Sequence, residues 1–199
     1  MELMRRRGMM ELPSSVPVET WDFEWDYTMG LPENNGMTKT TSGSNTVTLE
    51  ANGVKVKNGS TSSYVRWDAP TASCTTGVIE AKFLVHPSTG NYNNFRMCIS
   101  NGTNGGGTAT PKNNLCIMDS NSVANYTVVS SYTHDVFHTE RIVLRDNVFD
   151  VYLDGNLVVS NSPVSNIVYT TGNRVFIQSM TSSNYAIVQS IKFKFNRIV

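Results

Sequence analysis

The stretch WDFEWDYTMG, residues 21–30, alternates aromatic and acidic side chains. Asp22, Glu24 and Asp26 fall on every second position, and so do Trp21, Phe23, Trp25 and Tyr27. A strand has a side-chain period of two, so the acids would share one face and the aromatics the other. Glycoside chemistry with retention needs two carboxylates about 5 Å apart, one as nucleophile and one as acid/base. The simpler reading is a strand with a wet side and a dry side. Large aromatics bury about 150–250 Å² each. The expectation is therefore that Trp21, Phe23, Trp25 and Tyr27 face a core. Asp22, Glu24 and Asp26 are then solvated or paired with Lys or Arg of a neighbouring strand.

Other residue types that do chemistry are sparse. His134 and His138 are four apart, a spacing that suits a metal only on a helix, and THDVFHTER reads as a loop entering a strand. Three cysteines form no CxxC pair, and Cys98 and Cys116 lie in apolar runs as small buried hydrophobes. The glycine-rich NGTNGGGTATP, residues 101–111, opens no helix and is not a phosphate loop; it reads as a flexible connection. No cofactor is expected. The one metal the sequence would accommodate is calcium, in DSNSVAN, where Asp119, Asn121 and Asn125 supply oxygens. A single carboxylate there makes a weak site. A glycan site needs aromatic faces for sugar C–H surfaces and fixed polar groups for hydroxyls. Tyr64, Arg66 and Trp67 in SSYVRWD, with Tyr92, Asn93, Asn94 and Arg96 in GNYNNFRM, are the candidates. Against them stands a plainer reading, in which Trp67 and Phe95 are core and the Asn residues form turns.

The elements that must position these residues are strands. Runs of strand pattern follow one another from Trp21 to Asn196, and helical periodicity is hard to find. Asn52-Gly53, Asn58-Gly59, Asp146-Asn147 and Asp154-Gly155 punctuate them as tight turns. In a chain of 199 residues this predicts an all-β, two-sheet antiparallel sandwich. Sixteen basic residues balance sixteen acidic ones, which argues against nucleic acid as a partner. No run approaches a membrane span, and no apolar core follows the basic residues of MELMRRRGMMELPSSVP as a signal peptide requires. Residues 1–17 read as a short basic segment and 18–199 as the folded domain. The expected location is cytoplasmic as synthesised, with lysis as one route out of the cell and a virion as one place of association.

Residues 138–160, HTERIVLRDNVFDVYLDGNLVVS, read as three strands joined by two tight turns. This meander resembles the H-x-x-R-I-x-L … F-x-V-Y-x-D-G segment of concanavalin A-like, laminin-G-like jelly rolls. GVIEAKFLV (77–85) resembles a glutamate-bearing strand of that superfamily. AIVQSIKFKF resembles its last strand, and the opening stretch its first. The basic start also resembles those of uncharacterised phage and prophage proteins of gut bacteria. The resemblance implies a concanavalin A-like jelly roll over residues 18–199. Its glucanases carry E-x-D-x-x-E on a mid-chain strand. Here Asn114 and Cys116 stand at the first two positions of that motif and Asp119 at the last. Two of three carboxylates are missing, so no enzyme of that type is expected. The expected function is a non-catalytic, lectin-like module binding a cell-surface glycan, part of a phage or prophage particle. The alternatives are a structural virion or assembly subunit, oligomeric through its N-terminal segment, and a polysaccharide hydrolase with another site.

Overall fold

The segment HTERIVLR shows how side-chain alternation builds this molecule: Glu140, Ile142 and Leu144 are buried, while Arg141, Val143 and Arg145 point the other way. The computed structural model describes residues 19–60, 63–71, 73–86, 93–101, 105–110, 114–118, 126–164, 173–179 and 185–196. Among them run β1 (Phe23–Asp26), β2 (Thr38–Ser42), β3 (Asn45–Glu50), β4 (Gly53–Asn58) and β5 (Tyr64–Asp68). Then come β6 (Thr76–His86), β7 (Asn93–Ser100), β8 (Gly105–Ala109), β9 (Asn114–Met118) and β10 (Tyr126–Ser131). The last are β11 (His138–Arg145), β12 (Val148–Leu153), β13 (Asn156–Pro163), β14 (Arg174–Ser179) and β15 (Tyr185–Phe195).

They pair antiparallel into two sheets. Sheet A has the order β13-β12-β11-β6-β15-β4-β3, with β1 also on β15. Sheet B has the order β10-β9-β8-β7-β14-β5-β2. The inner faces meet in one core. Sheet A contributes Trp25, Ile79, Phe83, Ile142 and Phe193; sheet B contributes Val65, Trp67, Phe95, Met97 and Leu115. Phe83 and Phe95 stack across the interface. The Asp154-Gly155 turn has positive φ at both residues, 50° and 79°, the geometry that matches the twist of the flanking strands. The two-sheet jelly roll expected from the sequence is thus present.

Two expectations are corrected. Within the glycine-rich run, Gly105–Ala109 is not a flexible connection but a strand of sheet B between β7 and β9. Glycine is needed there for space: a Cβ on Gly106 would lie 2.4 Å from Cδ1 of Phe149, on the opposite sheet. Gly106→Ala should therefore cost about 1–3 kcal/mol, the usual penalty of overpacking. A urea midpoint equal to the parent's would refute this.

Trp21 does not face the core as expected. Alternation holds only over β1, where Trp25 is fully buried and Phe23 packs against the core, as does Tyr27 just beyond the strand. At Asp22 the chain is tied to β15 instead, its amide donating to the Phe193 carbonyl (3.0 Å) and its carboxylate accepting from the Phe195 amide (2.8 Å). Trp21, one residue earlier, lies on the outer face of sheet A, with Arg141, Lys192 and Lys194 each 5.6 Å from its ring. The acids of the opening stretch are structural. Glu24 pairs with Lys192 at 2.6 Å, and Asp26 caps the next turn by accepting from the Thr28 amide at 2.8 Å.

Candidate functional site

The predicted glycan residues come from β5 and β7, which are not neighbours. Strand β14 lies between them and aligns them in rows: Tyr64–Gln178–Asn94, Arg66–Phe176–Arg96 and Asp68–Arg174–Cys98. Partners in antiparallel strands share a face. Val65 and Trp67 point into the core, so Tyr64, Arg66 and Asp68 take the outer face of sheet B. Tyr64, Arg66 and Asp68 are three residues of one short strand; Arg174, which completes the group, carried no sequence signal.

Asp68 organises this group. Its Oδ2 accepts from Nε of Arg66 at 2.8 Å, and its Oδ1 pairs with Nε of Arg174 at 3.0 Å. Arg66 also donates through Nη2 to the Thr40 hydroxyl on β2 at 3.4 Å. One carboxylate thus fixes two planar guanidinium groups beside a half-buried phenol, with threonine hydroxyls at the rim. Fixed, charged donors of this kind form the stronger hydrogen bonds and present paired N–H groups. Such an array suits a ligand rich in hydroxyl groups.

The face closes toward its centre. Arg66 is half-buried, whereas Arg96 is 2% exposed, and Cys98, Ala109 and Met118 are buried nearby as a small apolar cluster. Arg96 is therefore set aside as a surface contact. Trp67 is set aside too: it is fully buried, its indole N–H donating to Oε2 of Glu33 at 2.9 Å. Asn93 and Asn94 are placed by the backbone of β7, while Tyr92 lies outside the described residues. Asp119, Asn121 and Asn125 also lie outside them. Among the described residues no group of three or more His, Cys, Asp or Glu could hold a metal. The histidines pin loops instead: His138 Nδ1 meets Asp154 at 2.6 Å and Nε2 meets the Thr133 carbonyl at 3.0 Å. Burial pushes the Cys98 thiol up to about 12, so it is no nucleophile at neutral pH.

A second cluster, on the outer face of sheet A, escaped the sequence reading. Register aligns Tyr152, Arg141, Glu80, Lys192 and Glu24 across five strands. Arg141 takes both oxygens of Glu19, at 2.8 and 3.1 Å, and reaches Glu80 at 3.5 Å. Lys194 also reaches Glu19, at 3.2 Å. Hydrogen bonding to Arg141 holds the Glu19 carboxyl below its usual range, whereas burial pushes Glu80 up against the opposing pull of Arg141. Beside them lies a groove of about 460 Å³. Each charge was visible in the sequence, but the row depends on a strand pairing that periodicity alone does not give.

No protein-family model matches this chain, and no curated protein sequence matches it. Solved structures do. A sialidase superposes with TM-score 0.64 at 13% identity over 87% of this chain, which spans 18% of the sialidase. The conserved carbohydrate esterase of the Shiga toxin-encoding bacteriophage phi24B gives TM-score 0.57 at 15% identity, covering 89% of this chain and 99% of that one. The carbohydrate binding module CBM66 from Bacillus subtilis gives TM-score 0.53 at 15% identity, covering 79% and 96%. At these identities the likeness is one of fold, and that fold is the concanavalin A-like jelly roll. Among the described residues no helix is long and apolar enough to cross a membrane.

Proposed function

We propose that this domain is a non-catalytic carbohydrate-binding module that engages a cell-surface glycan through the β2–β5–β14 side of sheet B. The observation that carries it is the Arg66–Asp68–Arg174 array beside Tyr64 on the open part of that face. The fold shared with a carbohydrate binding module supports the reading. So does the chemistry of the strand where the resembled glucanases hold their carboxylates: Cys116 is 1% exposed, and Asn114 has no ionisable group. The fold shared with a phage esterase supports a role in host adhesion by a phage or prophage particle.

A glycan array with the intact chain tests it. Arg66→Ala should weaken binding about tenfold or more, since hydrogen bonds from a charged group contribute roughly 1.5–3 kcal/mol, and Tyr64→Ala should weaken it too by removing the aromatic face. Both sites are on the surface, so the melting temperature should move little. Reducing-sugar release from the bound glycan should stay at background.

The closed centre of sheet B favours a second reading, a structural virion or assembly subunit with no sugar site. A blank array with an intact fold would select it.

A further inference from the structure

The geometry points to a second, independent saccharide site on the opposite side of the molecule, in the groove over β6, β11 and β12, with a neutral sugar as its ligand. The groove, of about 460 Å³, is lined by Val78, Val143, Tyr152, Glu80, Thr139 and Arg141 among others. That volume lies within the ~300–1,000 Å³ typical of small-molecule sites.

The walls divide into two kinds. Val143, half-buried, gives the floor an aliphatic patch, beside its register partner Val78, which is itself 1% exposed. Tyr152 stands beside Arg141 in the next row, its ring half-exposed on the same face. A sugar ring has an apolar C–H face that such a surface covers. The polar groups are set before any ligand arrives. Glu19 clamps Arg141 through two hydrogen bonds, Arg141 in turn reaches Glu80, and Arg145 at the groove's end is paired with Asp150. Groups already held in place lose little freedom on binding.

The charges also select the ligand. Each cation at the groove has an acidic partner, Arg141 with Glu19 and Glu80, Arg145 with Asp150. An anion would have to displace Glu19 or face Glu80. A cation would face Arg141 and Arg145. A purely apolar ligand would strip water from Glu80, Thr139 and Arg141 without replacing their hydrogen bonds, which costs free energy. A neutral molecule with many hydroxyls and one apolar face satisfies every wall.

Amide chemical shifts of the full chain, titrated with methyl β-galactoside, N-acetylglucosamine and lactose, test the proposal. Sialyllactose serves as an anionic control. The expected result is saturable shifts on β11 and β12 with a Kd on the order of millimolar, about −4 kcal/mol. Tyr152→Ala should weaken these at least tenfold. Val143→Trp, which fills the groove while keeping every hydrogen bond, should do the same. Tyr64→Ala and Arg66→Ala should leave them unchanged, which separates this site from that on sheet B. Shifts confined to β5 and β14, preference for sialyllactose, or saturable β11–β12 shifts indifferent to both groove variants would overturn it. So would the absence of saturable shifts on β11 and β12 with all three neutral sugars.

Discussion

Replacing Glu140 with glutamine removes a fall in stability that the parent chain suffers between about pH 5 and pH 8. Glu140 is fully buried between the sheets, with Ala81 and Leu153 as its cross-strand partners. Its polar relief is the Thr108 hydroxyl, and neither carboxylate oxygen makes a well-formed hydrogen bond among the described residues. Burial therefore pushes its pKa from 4.5 to about 8, with Thr108 pulling weakly the other way. The unfolded chain releases this proton near its ordinary value, while the folded chain keeps it. Between those two values the folded state binds more protons, so stability declines as pH rises and levels off above the folded value. Each pKa unit corresponds to about 1.4 kcal/mol, so the decline amounts to roughly 5 kcal/mol. Below pH 4.5 Glu140 carries its proton in both states and contributes no slope. Glutamine has no proton to lose. Urea unfolding at pH 5, 7 and 9 should show a gap between the two proteins that widens with pH in favour of Glu140→Gln. Parallel curves would place Glu140 in contact with water.

Trp67→Ala should lower stability by about 3–5 kcal/mol, the usual cost of deleting a large core aromatic. For a chain of this size each kcal/mol moves the melting temperature by roughly 2–4 °C, so a drop of more than 6 °C is expected. The side chain is fully buried, and its N–H reaches Glu33, which also pairs with Lys39. Burial disfavours the charge on Glu33, but Lys39, a backbone hydrogen bond and Trp67 together outweigh it, and the group titrates below its usual range. Trp67→Phe keeps most of the packing and removes one hydrogen bond, so it should cost about 1–3 kcal/mol. The comparison matters for function. Any glycan binding lost in Trp67→Ala should be lost through unfolding, whereas Arg66→Ala should lose it with the fold intact. Loss of binding in Trp67→Ala at an unchanged melting temperature would put this indole on the surface.

The strands with apolar alternation were legible because their signal is local. β5, β6, β11, β12 and β15 each carry buried residues on every second position over part of their length. β2, TKTTS, escaped notice because it has no buried residue, and β8 because glycine has no side chain with which to alternate. Trp21 was misplaced because a capping bond at Asp22, invisible in periodicity, breaks the phase. Glu140 is the opposite case. It lies in phase with Ile142 and Leu144 and faces inward with them, against the ordinary preference of a carboxylate for water. The site on sheet B was half legible. Tyr64 and Arg66 stood in one short motif, but only the insertion of β14 beside β5 brings Arg174 to Asp68.

The position of β15 in sheet A carries a consequence for how the chain reaches this state. β15 pairs with β1, β4 and β6, so the middle of the sheet is completed by its last strand. Its partners lie about a hundred residues or more earlier in the sequence, and contacts of such span are formed late and slowly. During synthesis β4 and β6 must wait with open hydrogen-bonding edges, and Trp25 and Phe83 wait without Ile191 and Val188, their register partners on β15. Unpaired edges and exposed aromatics invite pairing with other chains. A nascent chain halted before Tyr185 is thus the species most in need of a chaperone, and the folding of the whole domain turns on the arrival of one strand.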